Sequence, residues 1–254
     1  MRLIIERSVT VITPTVGSPK LADAIESIQR QTYRNLEHLI VVDGALEYGF
    51  KAREVIEDVG DKNPGLITKH IQFIDLPYNT GARGFNGQRI YASIPHLVNS
   101  DYVFFLDEDN WYEPDHVSSL VSTIEKSNLD WAYSLRKIYS PDKKFLADDN
   151  CESLGKWPIY FTHDNPQYLV DTSAFAFKRE FIQATCHRWH SGAWGEDRRY
   201  FYAIANQSKW DTNYKHSLCY RVDNNPQSVS GEFFIEGNKK QLEHYNGELP
   251  WVKT

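Results

Sequence analysis

The chain predicts an α/β fold, a mostly parallel sheet flanked by helices that passes into a less regular second part. Three observations predict it. The chain opens in the order strand, loop, amphipathic helix, strand, and the right-handed crossover rule makes those two strands parallel neighbours. Further on, Tyr102-Val-Phe-Phe-Leu106 is a short, almost wholly apolar run of β-formers, the composition of a strand buried on both faces. Directly after it stand Asp107, Glu108 and Asp109. Unpaired carboxylates are costly to bury, so this strand must end at a cleft or surface.

Each element can be justified in turn. Ser8 to Thr13 is β-branched and reads as the first strand, broken by Pro14-Thr-Val-Gly-Ser-Pro-Lys20. Leu21 to Gln31 places Leu21, Ala24, Ile25 and Ile28 on one helical face. Glu37 to Asp43 is a second buried strand, stopped by Asp43 and Gly44. Lys51 to Asp61 reads as a short helix of mixed charge, and Thr68 to Asp75 as a third, alternating strand. Asn79-Thr-Gly-Ala-Arg-Gly-Phe-Asn-Gly87 holds three glycines, which marks a backbone of positive φ or one closely approached by a ligand. No Gly-Lys-Ser/Thr follows, so it is no Walker loop. Arg89 to Val98 and Pro114 to Lys126 read as helices, with Pro114 near a helix start, where proline is tolerated. Leu129 to Arg136 reads as a strand, and Ser140 to Asn165 as loop with an acidic patch at Asp148 and Asp149. Asp171 to Phe177 is expected as a strand, Lys178 to Ala184 and Glu196 to about Asn206 as helices, and Lys215 to Arg221 as a last strand. The tail from Asp223 reads as polar loop.

Composition narrows the function. The chain has 254 residues, 41% hydrophobic, enough for one large or two small domains, and no linker divides it. A net charge of −6 lacks the broad electrostatic footprint of a nucleic-acid binder. Cys151, Cys186 and Cys219 are far apart and odd in number, which argues against a disulfide framework and for a reducing, intracellular setting. There is no signal-like N-terminus and no long apolar span, so the expectation is a cytoplasmic protein without a membrane segment. Aromatic residues make up 14%, and such faces suit stacking on sugars or bases.

The acids after the fourth strand admit two readings. They are a turn without a ligand, or they face a hard divalent cation, Mn²⁺ or Mg²⁺, which prefers oxygen ligands and leaves positions open for phosphates. In open α/β sheets the carboxyl ends of the strands are where ligands bind.

Taken together, several motifs resemble a family 2 glycosyltransferase of the GT-A fold, with its Rossmann-like sheet. They are Val9-Thr-Val-Ile-Thr-Pro-Thr15, the helix that leaves through Gln31-Thr-Tyr, Leu39-Ile-Val-Val-Asp-Gly44 and Asn79-Thr-Gly81. Phe104-Phe-Leu-Asp-Glu-Asp109 and Gly195-Glu-Asp197 complete the set. Their order fits that family over nearly the whole chain. The resemblance implies one domain over 1–254, with a nucleotide-donor half to about 109 and an acceptor half over about 110–254. It also implies inverting transfer of a sugar from a nucleotide-sugar, often a UDP-sugar, to a hydroxyl of a saccharide or other acceptor. On this reading Thr13, Pro14, Thr15 and Asp43 hold the base and ribose, and Arg83 pairs with the diphosphate. Asn86 and Arg89 compete for that last role, because the loop is about one residue shorter than the family's. Asp107 and Asp109 form the Asp-x-Asp motif: Asp109 ligates the metal, and Asp107 takes the ribose or the metal. Glu108 lies on the donor side and points elsewhere. Asp197 is the expected general base, with Glu196 as competitor; capping of a helix is the other account of both. His216, by residue type, or Asp223, by spacing, completes the metal site. Trp189, His190 and Trp194 are expected either as an acceptor platform or as packing. Two other functions compete: a nucleotidyltransferase, which would want a Gly-rich, Lys/Arg-bearing signature after the first strand, and an inactive nucleotide-sugar-binding module.

Overall fold

The computed structural model describes residues 6–189, 192, 195–222 and 229–252. One nine-stranded sheet runs through them. Its strands are β1 (Val9–Thr15), β2 (Leu36–Asp43), β3 (His70–Leu76), β4 (Tyr102–Phe105), β5 (Trp111–Tyr112), β6 (Trp131–Tyr139), β7 (Phe145–Asp148), β8 (Phe175–Lys178) and β9 (Trp210–Arg221). The order is β3-β2-β1-β4-β8-β6-β9-β5, with β7 paired to β6. The β3-β2-β1-β4 portion is parallel throughout. From β4 onward the sheet is mixed: β8 runs antiparallel to both β4 and β6, while β6 and β9 are parallel.

The parallel half has the composition such strands require. Val9, Val11, Ile12, Ile40, Val41, Val42 and Val103 to Leu106 are all buried, because helices cover both faces. Helix α1 (Leu21–Gln29) buries the stripe Leu21, Ala24, Ile25 and Ile28. Helix α2 (Ala45–Lys62) is longer than the expected Lys51–Asp61. It starts at once after Gly44, whose φ of 100° turns the strand straight into the helix. The glycine-rich stretch leads to α3 (Gln88–Ser93) and then to a 3₁₀ turn at Ile94–Leu97, where Pro95 interrupts the α-helix. Helix α4 (His116–Ser127) packs Val117, Leu120, Val121 and Ile124 inward.

The second half departs more from expectation. Thr172–Ala174 is a 3₁₀ turn capped by the Asp171 side chain, so that strand starts at Phe175. Helices α5 (Arg179–Thr185) and α6 (Glu196–Ala205) stand close to their expected places. Strand β9 begins five residues before Lys215, and β7 lies inside the stretch read as loop. The tail read as loop contains α7 (Gly231–His244), capped by Ser230, whose hydroxyl accepts the Phe233 N–H. This helix seats Phe234 beside Ile138, Cys151 and Val222 in a small second core. Its apolar stripe is short and interrupted by Gly237, a residue whose Cβ would collide with Cys151 Sγ at 2.7 Å, and this masked the helical period. No helix among the described residues is long and apolar enough to cross a membrane.

Candidate active site

Three adjacent parallel strands, β2, β1 and β4, end at the same edge of the sheet, and their exits carry Asp43, Thr13-Pro-Thr15 and Asp107-Glu-Asp109. Asp43 is buried and organises the glycine loop. Its two carboxylate oxygens accept the Thr80 N–H at 2.6 Å and the Gly81 N–H at 2.7 Å. Gly81 is required there, since a Cβ would lie 2.3 Å from the Asn86 carbonyl oxygen. Within the loop Arg83 and Asn86 take positive φ, 66° and 47°, conformations that L-residues seldom adopt and that gather at functional sites. Arg89 stacks on Phe85, 3.6 Å from its centroid, and donates to the Thr80 carbonyl at 3.0 Å. It therefore braces the loop.

Thr13 is fully buried, and its hydroxyl lies 2.8 Å from His38 Nε2. Thr15 donates to Glu108 Oε2, which also accepts the Ser18 N–H at 3.2 Å. Glu108 thus points into the β1 exit loop and fastens it to the acidic loop. Pro14 packs against Gly87.

Asp107 is held on both oxygens. Tyr91 donates its hydroxyl to Oδ1 at 2.6 Å, and Ser173 donates to Oδ2 at 3.2 Å while accepting the Asp107 N–H at 3.0 Å. Burial, followed by the charges of Asp109 and Asp171, pushes its pKa up to about 7. Asp109 is also raised, chiefly by burial, and Lys20 and Arg221 oppose the rise. A carboxylate near enough for its charge to raise its neighbour makes a pair that favours a cation. Among the described residues, however, no three His, Cys, Asp or Glu side chains form a metal cage. His216 lies on β9 opposite Leu135, and its electrostatic partners are Asp148, Asp149 and Lys137 rather than the acids after β4. Asp223, His190 and Trp194 lie outside the described residues.

Asp107 shares a cavity of about 240 Å³ with Asp197 and Glu196. Asp197, in the first turn of α6, has its pKa pushed up to about 7 by burial and then by the charge of Asp171. Its Oδ1 accepts the Arg198 N–H at 2.8 Å. Glu196 pairs instead with Arg199 at 3.2 Å. Trp189 belongs to the cavity wall but is buried, stacked on Tyr200 with centroids 4.4 Å apart.

The sequence reading missed the other side of this cavity. Arg136, on β6, is 2% exposed and gives its three nitrogens to three acids: Nε to Asp149 at 2.6 Å, Nη1 to Asp171 at 2.7 Å, and Nη2 to Glu152. Tyr220 covers its face at 4.3 Å. Asp149, expected as part of a loop patch, is fully buried and also accepts the N–H groups of Cys151, Glu152 and Ser153. Asp171 lines the same cavity, and its charge raises both Asp107 and Asp197. Arg136 inside a largely apolar, buried strand was the one signal that could have exposed this network, because a buried guanidinium demands carboxylate partners.

A parallel β-sheet edge bearing a glycine loop, an acidic strand exit and a helix-borne acid pair around one cavity is the architecture of GT-A glycosyltransferases, and comparison with solved structures agrees. The Staphylococcus aureus TarS 1–349 structure in complex with UDP superposes with a TM-score of 0.60 at 14% identity, covering 93% of this chain and 64% of that one. The same protein in complex with UDP-GlcNAc gives 0.57 at 13% identity, covering 90% and 64%. At such identities the likeness is one of fold. The family model "Glycosyl transferase family 2" matches residues 10–184, well over half of the sequence, and the chain belongs to that family. Among curated relatives, the glycosyltransferase GlyA of Streptococcus pneumoniae is 26% identical over 133 residues, which are 51% of this chain and 17% of that protein. The glucosyl-dolichyl phosphate glucuronosyltransferase of Haloferax volcanii is 33% identical over 106 residues, 42% of this chain and 29% of that one. The matched region is therefore less than a third of either curated relative.

Proposed function

We propose that this chain transfers a sugar from a nucleotide-sugar, a UDP-sugar in the first instance, to an acceptor hydroxyl with inversion at the anomeric carbon. The observation that carries this reading is that Asp107, at the β4 exit, and Asp197, at the start of α6, line one cavity. The donor lies along the strand exits, with Asp43 and the glycine loop at its nucleotide end. The acceptor enters from the Arg136 side.

Asp197 takes the proton. As the acceptor oxygen forms its bond to the anomeric carbon, the hydroxyl proton passes to the Asp197 carboxylate. The bond from that carbon to the diphosphate breaks, and its electron pair leaves with the nucleotide. A pKa near 7 suits a base working at neutral pH. Asp107 and Asp109 would hold Mn²⁺ or Mg²⁺, for which their mutual repulsion is a fit. Such a cation would offset charge on the leaving diphosphate. Tyr91 and Ser173 orient Asp107, and Glu108 keeps the neighbouring loop in place.

Thermal-shift screening with UDP, GDP, dTDP and CMP, each with Mn²⁺, Mg²⁺ or EDTA, tests the proposal. UDP with a divalent metal should raise the midpoint by mass action, and Asp109→Ala should abolish the rise. Failure of every nucleotide with both metals would overturn it. Binding without release of UDP from any UDP-sugar would leave a nucleotide-sugar-binding module in its place.

A further inference from the structure

Two guanidiniums stand on the cavity wall, those of Arg136 and Arg198. Arg136 is spent on three acids. Arg198 has no such partner. Its Nη1 donates to the neutral Gln167 side chain at 2.9 Å, the one side-chain bond of this arginine among the described residues. Its Nε is buried and meets no acceptor. A buried donor left in that state is costly unless a ligand supplies the acceptor.

The place of Arg198 in its helix is the second observation. It is the third residue of α6, in the first turn, where the helix dipole favours anions and disfavours a cation. Helix stability therefore gives no account of it. An oxyanion does, because the guanidinium and the helix N-terminus both attract one. The free edge of the guanidinium is the Nε–Nη2 edge, which meets two oxygens of a phosphate or carboxylate at once. The acids on the same wall leave this attraction standing. Glu152 and Asp171 are paired to Arg136, and Glu196 to Arg199. Asp107 is engaged by Tyr91 and Ser173 on the donor side.

We infer that Arg198 is a specificity-determining residue of the acceptor subsite, and that the acceptor carries an oxyanion, a phosphate or a carboxylate, near the hydroxyl that reacts. The inference rests on the glycosyltransferase reading and names the acceptor class for it. Asp197 and Arg198 are neighbours in the chain and line one cavity, so one takes the hydroxyl proton while the other holds the adjacent anion. On binding, the side chain turns its free edge to the anion, and Nε gains the acceptor it lacks.

The test first measures UDP affinity in Mg²⁺ by calorimetry, and then titrates acceptor probes against the saturated chain. The probes are a methyl glucoside, a methyl glucosaminide, a methyl glucuronide and a methyl glucoside phosphate. At least one of the two anions should bind about tenfold or more tightly than the neutral and amine probes, and the stronger of the two assigns phosphate or carboxylate. Arg198→Gln should cut that preference to within about threefold while UDP affinity holds, and Arg198→Lys should keep part of it. Four results would each overturn the inference: a neutral or amine probe binding as tightly as both anions, no probe binding at about 100 mM, an unchanged preference in folded Arg198→Gln, or a loss that falls on UDP instead. If Arg198→Gln does not fold, the ranking on the unaltered chain and its weakening with added salt decide alone. Absence of UDP binding to the unaltered chain strikes the glycosyltransferase reading itself, so the two failures are separable.

Discussion

The two sides of the cavity are built on different principles. On the β1-β2-β4 side, polar groups stand at the ends of apolar parallel strands, and backbone N–H groups of loops satisfy them: Asp43 is held by Thr80 and Gly81, and Glu108 by Ser18. On the β6-β8-β9 side one buried cation gathers three acids from the irregular stretch between β7 and the 3₁₀ turn at Thr172–Ala174. The first design repeats a strand-end rule, although its bonds span 37 to 90 residues. The second rests on charge pairing, with partners 13, 16 and 35 residues from Arg136. A side made by strand-end loops can be read one motif at a time, whereas a side made by charge convergence has no local pattern.

Removing the proposed base should give the largest effect. Asp197→Asn is expected to lower turnover by roughly 10²- to 10⁴-fold while UDP still raises the thermal midpoint. A fall in UDP binding of similar size would show that the two sides are not separable. Next comes Arg136→Met, which leaves three buried carboxylates with no cation. It should cost about 3–5 kcal/mol in denaturant unfolding, the usual penalty for breaking a buried pair. A loss below about 1 kcal/mol would mean that the network is only weakly coupled to the fold.

A pH series sharpens the contrast further. In the proposed role Asp197 must be ionised to act, so transfer should rise as pH climbs through about 7 and level off above it. Stability should move the other way. A carboxyl whose folded pKa lies above its unfolded value favours the protonated native state, so the folded chain loses stability as pH rises from the ordinary carboxylate range to about 7 and levels off above it. Melting Asp197→Asn beside the parent at pH 5 and pH 8 checks this. The variant should gain a few °C at pH 8, about the shift expected of 1 kcal/mol in a chain of this size, and little at pH 5. The smallest effect is expected on the strand-end side. Tyr91→Phe removes one hydroxyl from Asp107 and should weaken metal-dependent UDP binding by roughly 1 kcal/mol, or about fivefold in Kd by titration.

This contrast also explains what the sequence could tell. The strands β1, β2 and β4 were legible because burial on both faces dictates an apolar run, and the acids closing two of those runs could only lie at an edge. Asp43 was legible as a residue near the site but not as the anchor of Thr80 and Gly81, since a contact across 37 residues leaves no periodic trace. Arg136, Glu152 and Asp171 were hidden for the same reason. Helix α7 was hidden because its buried face is small, Phe234, Gly237 and Gln241. The metal-site expectation for His216 rested on residue type, and the fold sets that side chain among Asp148, Asp149 and Lys137.

The bond from Thr15 to Glu108 and the Ser18 N–H that meets the same oxygen have a thermodynamic side. They fix two loops against each other when the chain folds. Fixing a loop residue costs about 1–2 kcal/mol of backbone entropy. For the stretch from Thr15 to Ser18 that cost falls on folding and not on association, so an arriving ligand finds this end of the cleft already rigid and keeps more of its contact energy as affinity.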